Sequence, residues 1–521
     1  MKIFLAQLVA PELGARGPAH HQLEWPDYTM IVLYFAVTLW MGYVFSRRQH
    51  STEEYFLAGR SMPWFAVGLS LMATLTSTVS YLGTPGEVIK YGLFAALGGI
   101  IFYPIIYVMI GYVLVPKFLN LHVTSIYEYL EQRFDARTRI FASALFLVIR
   151  LNWMGLVLYA STIALEQITQ LNRLLILISL GVVAVAYTAL GGIRVVIWTD
   201  VAQFFILLGG ALFTVAFVMM DTGTGLGTWW QNMGSDNRPT QLLFSFDPHE
   251  RVTLVGVGIM IFFWYVCTYA GDQVAIQRLM STSSPSAARR SSACDLISNV
   301  IVGMALVGVG LALYSYYKGQ LPTDTDGVFP YFIRSELPRG LAGLVVAALF
   351  SAAMSSLDSG INSVATVISV DYVNRRNATA LGVKGQLILA RSITVVVGVV
   401  AILMCIALLL IPTDVRGNLL ELSQRMSSFP VGALGGLFFV AIWIERCVSS
   451  VAIQATAVGM LCGLVVGWGH MFGIFPEDRP LSFMWIIPTS CLMTLVYAAL
   501  ISTIWPRISS RHSKDIAFRE Y

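Results

Sequence analysis

The sequence predicts an all-α polytopic membrane protein, and two observations support this. Of its 521 residues, 56% are hydrophobic and only 12% are charged, with a mean hydropathy of +0.71, whereas soluble domains carry about 25% charged residues. The apolar residues are gathered into segments long enough to cross a bilayer, which needs roughly 20 of them. The polar stretches between these segments are too short to form a soluble domain.

The apolar segments predict thirteen transmembrane helices. They lie near 28–46, 64–91, 93–116, 139–167, 173–191, 196–220, 252–277, 294–317, 341–371, 387–411, 417–443, 449–473 and 482–505. Residues 28–505 therefore form one membrane domain between an N-terminal segment, 1–27, and a C-terminal tail, 506–521.

Basic residues predict how the domain is oriented, because lysine and arginine are enriched in cytoplasmic loops. They follow the first, seventh and ninth segments, separate the third from the fourth, and end the chain: Arg47, Arg48, Arg60, Lys117, Arg133, Arg137, Arg139, Arg278, Arg289, Arg290, Arg375, Arg376, Lys384, Arg507, Arg511 and Lys514. An odd number of helices with the N-terminus outside puts all of them on the cytoplasmic side. The N-terminal segment is then extracellular, the tail is cytoplasmic, and the plasma (inner) membrane is the expected location.

Two of the predicted helices are interrupted. Hydroxyl residues run through the second segment over 71–80 and precede Gly-Thr-Pro-Gly at 83–86, and a softer break lies at 267–273 in the seventh. Hydroxyl, glycine and proline residues weaken a helix. Broken helices five segments apart predict an inverted repeat of five helices each, about 64–220 and 252–443, with the solute site at the breaks. One helix precedes the repeats and two follow them.

The ninth segment carries five serines, an aspartate and an asparagine within residues 348–363. The hydroxyls of Ser355, Ser356 and Ser359 share one helix face, and such hard oxygen donors suit a hard cation. The alternative interpretation is a tight contact between helices, for which small residues are also favoured.

Several segments in the same order resemble the sodium/solute symporter family, which includes sodium–glucose, sodium–proline, sodium–iodide, multivitamin and sialic-acid carriers. They are Glu53–Arg60, Thr124–Phe134, Gly191–Asp200, Asp272–Arg278 and Ser355–Ser363. The resemblance implies a leucine-transporter-like fold and alternating access driven by sodium as the coupling ion, without a further cofactor.

The resemblance also implies which residues bind sodium. One site would use the carbonyls of Ala73, Thr76 and Ala352 with the hydroxyls of Ser355 and Ser356. A second would use Asp200 and Ser359, together with Asp358, where relatives have serine. Asp358 either strengthens cation binding or shares a proton with Asp200. Asp200 also has a simpler interpretation, as a solvated acid at the cytoplasmic face.

The predicted solute cavity lies between the two broken helices. Its expected lining is Thr74, Leu75, Ser77, Ser80, Tyr81, Tyr265, Thr268, Tyr269, Ser423 and Gln424. Leu75 stands where proline carriers have an aspartate, and Ser80 stands where sugar carriers have a glutamine. Residues 84–92 and 151–160 look most like the iodide, multivitamin and monocarboxylate branch of the family.

Arg150 is the candidate for attracting an anionic solute. It lies about eleven residues into the fourth segment, roughly 16 Å from its inner end at 1.5 Å per residue. Sialic-acid carriers use an arginine in this helix, although the strict alignment places that arginine at Trp153. The alternatives are an arginine that snorkels towards the cytoplasm or one that pairs with an acid.

These observations predict a sodium-coupled symporter that imports a small organic anion, rather than an enzyme. A sodium-coupled sugar symporter and a transporter-like solute sensor are the alternatives. The sequence has no Gly-x-x-x-x-Gly-Lys-Ser/Thr loop, which argues against an ATP-driven pump. A net charge of +4 gives no reason to expect nucleic-acid binding. The expected partners are the solute, sodium and the lipid bilayer, and a monomer is expected to be functional.

Overall fold

The protein is mostly helical over the residues that the computed structural model describes, with no β-strand among them. These residues are 23–46, 49, 51–92, 94–119, 121, 123–235, 244–250, 253–317, 327–373, 382–410, 419–476 and 479–504. The predicted all-α membrane fold is confirmed. Most of the predicted N-terminal segment, and the tail 506–521, lie outside the described residues.

The helices of the described residues follow one another along the chain. In order they are α1 Trp25–Ser46, α2 Thr52–Leu57, α3 Trp64–Leu75, α4 Thr78–Tyr91, α5 Phe94–Val108, α6 Val115–Leu119, α7 Tyr127–Arg133, α8 Ala136–Thr169, α9 Arg173–Thr222, α10 Leu226–Ser235, α11 Leu254–Gly271, α12 Gln273–Met280, α13 Pro285–Tyr316, α14 Val328–Ser335, α15 Leu341–Val367, α16 Val383–Leu410, α17 Leu419–Trp443, α18 Ser449–Trp468 and α19 Ile486–Ile504. A π-helical turn joins α5 to α6, and another extends α15 to Val373.

Eleven helices among the described residues are long and apolar enough to cross a membrane, and counting the bent pair α3 and α4 as one span gives twelve. The axes of α3 and α4 meet at 69°. Thr76 ends α3 with extended backbone angles, and the Ser77 side chain accepts a hydrogen bond from the Ser80 N–H at the start of α4. Serine at this position satisfies an N–H that the helix start leaves free.

The second predicted break lies at Asp272, between α11 and α12. Its backbone is extended (φ −96°, ψ 116°), and its carboxylate accepts a hydrogen bond from the Val274 N–H at 2.9 Å. The aspartate thus ends one helix and caps the next. Both interrupted segments found in the sequence are therefore interrupted in the structure.

The long helix α9 changes direction at Gly192, whose φ of +56° and ψ of −157° are not helical. A Cβ at this position would lie 2.4 Å from the carbonyl oxygen of Tyr55, so only glycine fits against the α2 segment. Arg194 also donates a hydrogen bond to the Ala58 carbonyl at 2.8 Å. The segment between α1 and α3 is therefore held in the bend of α9.

Helix α15, which carries the serines, lies at the centre of the molecule. In its apolar, membrane-spanning stretch 89% of the residues are buried, compared with 22% in that of α1. It packs against α1, α3, α8, α9 and α16. Asp27 at the start of α1 accepts hydrogen bonds from the Gly340 and Gly343 N–H groups, which fixes the beginning of α15. The polar residues of α15 therefore face other helices rather than lipid.

Candidate functional site

The two adjacent serines of α15 lie against the broken end of α3. The Ser355 hydroxyl donates to the carbonyls of Ala73 at 2.8 Å and Ala352 at 3.2 Å. The Ser356 hydroxyl donates to the Thr74 carbonyl at 3.2 Å. The carbonyls of Ala73 and Thr74 are near the end of α3, where no following turn of helix uses all of the carbonyls. The result is a compact, buried group of neutral oxygens.

The structure therefore brings four of the five predicted sodium ligands to one place, and the fifth, Thr76, is the residue that ends α3. Thr78, at the start of α4, donates to the Leu349 carbonyl at 3.2 Å and ties the other half of the broken span to α15. Neutral carbonyl and hydroxyl oxygens at such a junction are the donors that hard cations prefer.

Asp200 lies next to this group, in a cluster with Arg278. Its Oδ2 accepts hydrogen bonds from the hydroxyls of Ser70 at 2.5 Å and Thr74 at 3.3 Å, and Arg278 Nη2 lies 3.2 Å away. Both charged side chains are fully buried. Asp200 Oδ1 has no hydrogen-bond partner among the described residues. Its complete burial contradicts the interpretation of Asp200 as a solvated acid.

The assignment of Arg278 to a cytoplasmic loop is wrong. Arg278 is in α12, where its Nε donates to Ser70 at 2.8 Å and its Nη1 donates to the Val274 carbonyl at 3.0 Å. Its Nη2 also contacts the Ser359 hydroxyl. The chain after the second break continues as a buried helix, so a basic residue there neutralises a carboxylate instead of marking a membrane face.

Asp358 joins the same cluster from the other side of Ser359. It accepts hydrogen bonds from the Tyr187 hydroxyl and, at 3.0 Å, from the Ser359 hydroxyl. Ser359 in turn lies 2.9 Å from the Thr74 hydroxyl, which reaches Asp200. The three residues predicted for a second site are thus linked through hydroxyls, and the sequence did not reveal Arg278 and Tyr187 as their partners.

A cavity of about 340 Å³ opens between the two broken spans. Its lining includes seven residues predicted for the solute cavity: Thr74, Leu75, Ser80, Arg150, Trp153, Tyr265 and Thr268. It also includes Asp272, Asn299, Ser427 and Ser428, which the sequence did not single out. The side chains of Ser423 and Gln424, at the start of α17, lie outside the described part of the structure.

Three predicted lining residues lie outside this cavity. Ser77 caps α4, as described above, because its position at the break turns its hydroxyl towards the backbone. The Tyr81 hydroxyl donates to the Leu207 carbonyl at 3.1 Å. The Tyr269 hydroxyl donates to Asp295 at 2.5 Å. Both tyrosines point between helices rather than into the cavity, because buried hydroxyls require a hydrogen-bond partner.

Arg150 forms an ion pair with Asp272 in the wall of the cavity. Both side chains are about one-tenth exposed (10% and 12%), and Arg150 Nε has no hydrogen-bond partner among the described atoms. The pair joins the middle of α8 to the second break. A carboxylate at a helix break and an arginine within another apolar span are complementary charges, and this signal was available in the sequence.

The fold and the site together define a class of protein. A helical membrane protein with two interrupted spans, a central polar cluster and a cavity at the breaks is a secondary transporter. The model of the sodium:solute symporter family matches residues 55–459, and the chain belongs to this family. It is therefore a membrane transporter and not an enzyme.

Individual relatives agree with this assignment. The chain is 27% identical to the sodium/sialic acid symporter SiaT of Proteus mirabilis (strain HI4320), over 87% of this chain and 92% of the relative. It is 29% identical to the human sodium-coupled monocarboxylate transporter 2, over 93% and 78% of the two chains. It is 31% identical to the sodium-dependent multivitamin transporter of Oryctolagus cuniculus, over 92% and 76%.

Solved structures show the same fold. The substrate-bound, outward-open structure of a Na⁺-coupled sialic acid symporter superimposes with a TM-score of 0.81 at 26% identity, covering 92% of this chain and 98% of the other. The nucleobase–cation symport transporter MHP1 in a closed conformation gives a TM-score of 0.56 at 14% identity, over 87% and 94% of the chains. The second similarity concerns the fold alone.

Proposed function

We propose that this protein is a sodium-coupled symporter that imports a small organic anion by alternating access. The observation that carries the proposal is that the Ser355 hydroxyl contacts both the Ala352 carbonyl of its own helix and the Ala73 carbonyl beside the break between α3 and α4. Relatives named for sialic acid, monocarboxylates and vitamins support an anionic solute.

The proposed architecture has thirteen spans, with the two repeats at about 64–220 and 252–443. Gly192 supports it, because its non-helical backbone divides the 50 residues of α9 into two segments that are each long enough to cross a bilayer. Counting α3 with α4 as one span and α9 as two gives thirteen. The breaks at Thr76 and Asp272 would occupy equivalent places in the repeats. We propose the plasma membrane as the location, with the N-terminus outside.

In the first proposed sodium site, the ligands are the carbonyls of Ala73, Thr76 and Ala352 and the hydroxyls of Ser355 and Ser356. Both hydroxyls now donate protons to carbonyls of α3. Rotation about two C–O bonds would turn their lone pairs towards the same space, so an ion would replace two hydrogen bonds without moving a helix. This rearrangement costs little, because each neutral hydrogen bond contributes only about 1 kcal/mol net.

The second proposed cation site is inferred from the charge balance of a buried cluster. With both carboxyls ionised, Asp200 and Asp358 would place two negative charges beside the single positive charge of Arg278, all at complete burial. An unbalanced charge out of water costs several kcal/mol. One further sodium ion, or a proton shared by the two carboxyls, would neutralise the cluster. Oδ1 of Asp200, which has no partner among the described residues, is available as a ligand. The Ser359 hydroxyl would become one by exchanging its present contacts with Thr74 and Asp358 for the ion.

The anionic solute would bind where Arg150 and Asp272 form the cavity wall. A solute carboxylate would take the place of Asp272 on the guanidinium, or would use Arg150 Nε, which has no partner in the described structure. Arginine binds carboxylates through two parallel hydrogen bonds, which favours an anion over a neutral solute. Leu75 contributes an apolar part of the lining, and it offers no charge to an ammonium group.

The experiment that tests the function is uptake into proteoliposomes of the purified protein under an inward sodium gradient, compared with potassium. The labelled solutes would be lactate, pantothenate, iodide, sialic acid, galactose and proline. Sodium-driven accumulation of an organic anion supports the proposal. Accumulation of galactose would support a sugar symporter instead, and uptake that is independent of sodium would contradict the coupling.

A further inference from the structure

Asp295 is a fully buried carboxyl that the sodium and solute sites do not use. It lies in α13, about 15 Å from Pro285 at 1.5 Å per residue. Its Oδ2 accepts a hydrogen bond from the Tyr269 hydroxyl at 2.5 Å, and its Oδ1 accepts one from the Asn299 amide at 2.8 Å. Both donors are neutral groups.

The surroundings of Asp295 differ from those of the other buried aspartates in the described part of the chain. Asp200 pairs with Arg278, Asp272 with Arg150 and Asp371 with Arg139, and Asp27 accepts two N–H bonds at the start of α15. Asp358 accepts only from hydroxyls, but one of these, that of Ser359, is itself contacted by Arg278. Asp295 has only neutral hydrogen-bond donors. A buried carboxylate without a counter-charge takes up a proton rather than bear the cost of its charge.

Asn299 connects this carboxyl directly to the solute cavity. Its side chain lines the cavity and donates both to Asp295 Oδ1 and to the Asp295 carbonyl, the latter at 3.1 Å. On the other side of Asp295, the ring of Tyr269 stacks on Tyr265, with centroids 6.2 Å apart, and Tyr265 also lines the cavity. Asp295 is therefore one side chain away from a bound solute.

We propose that Asp295 is a proton-binding site, and that its proton and an anion in the cavity bind cooperatively. The carboxylate takes one proton from a hydronium ion of the solvent: an O–H bond forms on the carboxyl group, and one O–H bond of the hydronium ion breaks to leave water. Protonation removes a negative charge close to the solute. The anion therefore raises the affinity for the proton by the same factor as the proton raises the affinity for the anion. This second part rests on the proposed anionic solute.

The titratable and charged groups that face Asp295 come from three elements besides its own. They are Tyr265 and Tyr269 of α11, Tyr103 of α5, Arg278 of α12 beyond Tyr269, and Cys294 beside Asp295 on α13. Tyrosine and cysteine are neutral in mildly acidic and neutral solution, and arginine is charged throughout. Proton binding in this pH range is therefore assigned to the carboxyl.

The first test is the melting temperature of the purified protein in detergent, measured from mildly acidic to mildly alkaline pH. The variants are Asp295→Asn and, as a matched control, Asp247→Asn, whose carboxylate is 39% exposed. The wild-type melting temperature is expected to fall relative to Asp295→Asn as the pH rises, because only the wild type acquires a buried charge. Parallel curves for the two proteins would overturn the proton site.

Two further measurements keep this test decisive. If Asp295→Asn does not fold, Tyr269→Phe replaces it, because this variant lacks a donor that favours the charged carboxylate. The fall in its melting temperature is expected to continue to a higher pH than in the wild type, and an end point at the same pH overturns the proposal. The series is also repeated at several sodium concentrations. A difference between wild type and Asp295→Asn that follows sodium but not pH would assign Asp295 to a metal cation and overturn the proton site.

The second test measures the linkage to solute, with sialic acid and pantothenate as probes in saturating sodium. Above the midpoint of the proton site, the Kd of the wild type is expected to rise by up to roughly tenfold per pH unit, and that of Asp295→Asn to stay constant. A pH-independent Kd in the wild type would overturn the linkage. If neither probe binds, the proposed solute class is contradicted but the proton site is not, because the melting curves test the proton site without any solute.

Discussion

Replacing Ser355 with alanine removes one hydroxyl from the first proposed sodium site and changes little else. In the structure this hydroxyl contacts two carbonyls, of Ala73 at 2.8 Å and of Ala352 at 3.2 Å, in a fully buried place. A hydrogen bond or ligand contact to a charged group contributes about 1.5–3 kcal/mol. The sodium concentration for half-maximal transport is therefore expected to rise roughly tenfold to a hundredfold.

The assay is initial uptake into proteoliposomes as a function of external sodium, with sodium-dependent thermal stabilisation of the purified protein as a second readout. Ser363→Ala is the matched control, because among the described residues the buried Ser363 hydroxyl bonds only to carbonyls of its own helix, of Ser359 at 2.8 Å and Gly360 at 3.1 Å. Its sodium dependence is expected to equal that of the wild type. If Ser355→Ala and Ser363→Ala shift the sodium dependence equally, the site is refuted.

Arg150→Gln is expected to raise the KM for anionic solutes at least roughly tenfold, the loss of one charge-assisted contact, and to leave uptake of neutral analogues nearly unchanged. Equal effects on both kinds of solute would contradict a role in anion binding. Asp200→Asn is expected to lower the Hill coefficient for sodium uptake towards that of a single ion, and an unchanged coefficient would count against the second cation site. Gly192→Ala is expected to lower the melting temperature, because it combines a backbone cost of about 1–3 kcal/mol with a Cβ only 2.4 Å from the Tyr55 carbonyl. Gly227→Ala, which has open space around its Cβ, is its control, and similar melting temperatures for the two would show that the bend in α9 can relax.

The number of cations per cycle decides how far this transporter can concentrate its solute. A tenfold sodium gradient supplies about 1.4 kcal/mol per ion, and 100 mV supplies about 2.3 kcal/mol per net charge. One sodium with a monoanion is electroneutral and supports only about tenfold accumulation. Two sodium ions with a monoanion supply about 5 kcal/mol, or roughly thousandfold accumulation. The cluster of Asp200, Asp358 and Arg278 is therefore the place where the coupling ratio would be set.

Much of the fold followed from the sequence because the relevant signals are local. Whether an apolar segment can cross a bilayer depends on its own length and composition and not on its neighbours. Likewise, hydroxyl, glycine and proline residues weaken the helix that contains them. The interruptions at Thr76 and Asp272 were predicted in this way. The adjacent serines of α15 also indicated a helix that is not surrounded by lipid, because polar residues in an apolar span must face protein, water or an ion.

The partners of the buried charges were decided only by the tertiary structure. Arg278 and Asp200 are 78 residues apart in sequence, and Arg150 and Asp272 are 122 apart. Local composition does not reveal which helices become neighbours. A basic residue just after an apolar segment is assigned to a loop by the charge rule, even where the chain continues as a buried helix. Hydropathy is a property of a segment, whereas the environment of a charge depends on the helices that pack around it. The sequence by itself therefore determined a membrane protein with two broken spans and a serine-rich helix, and only the packing of α3, α9, α12 and α15 decided which carboxyls are neutralised.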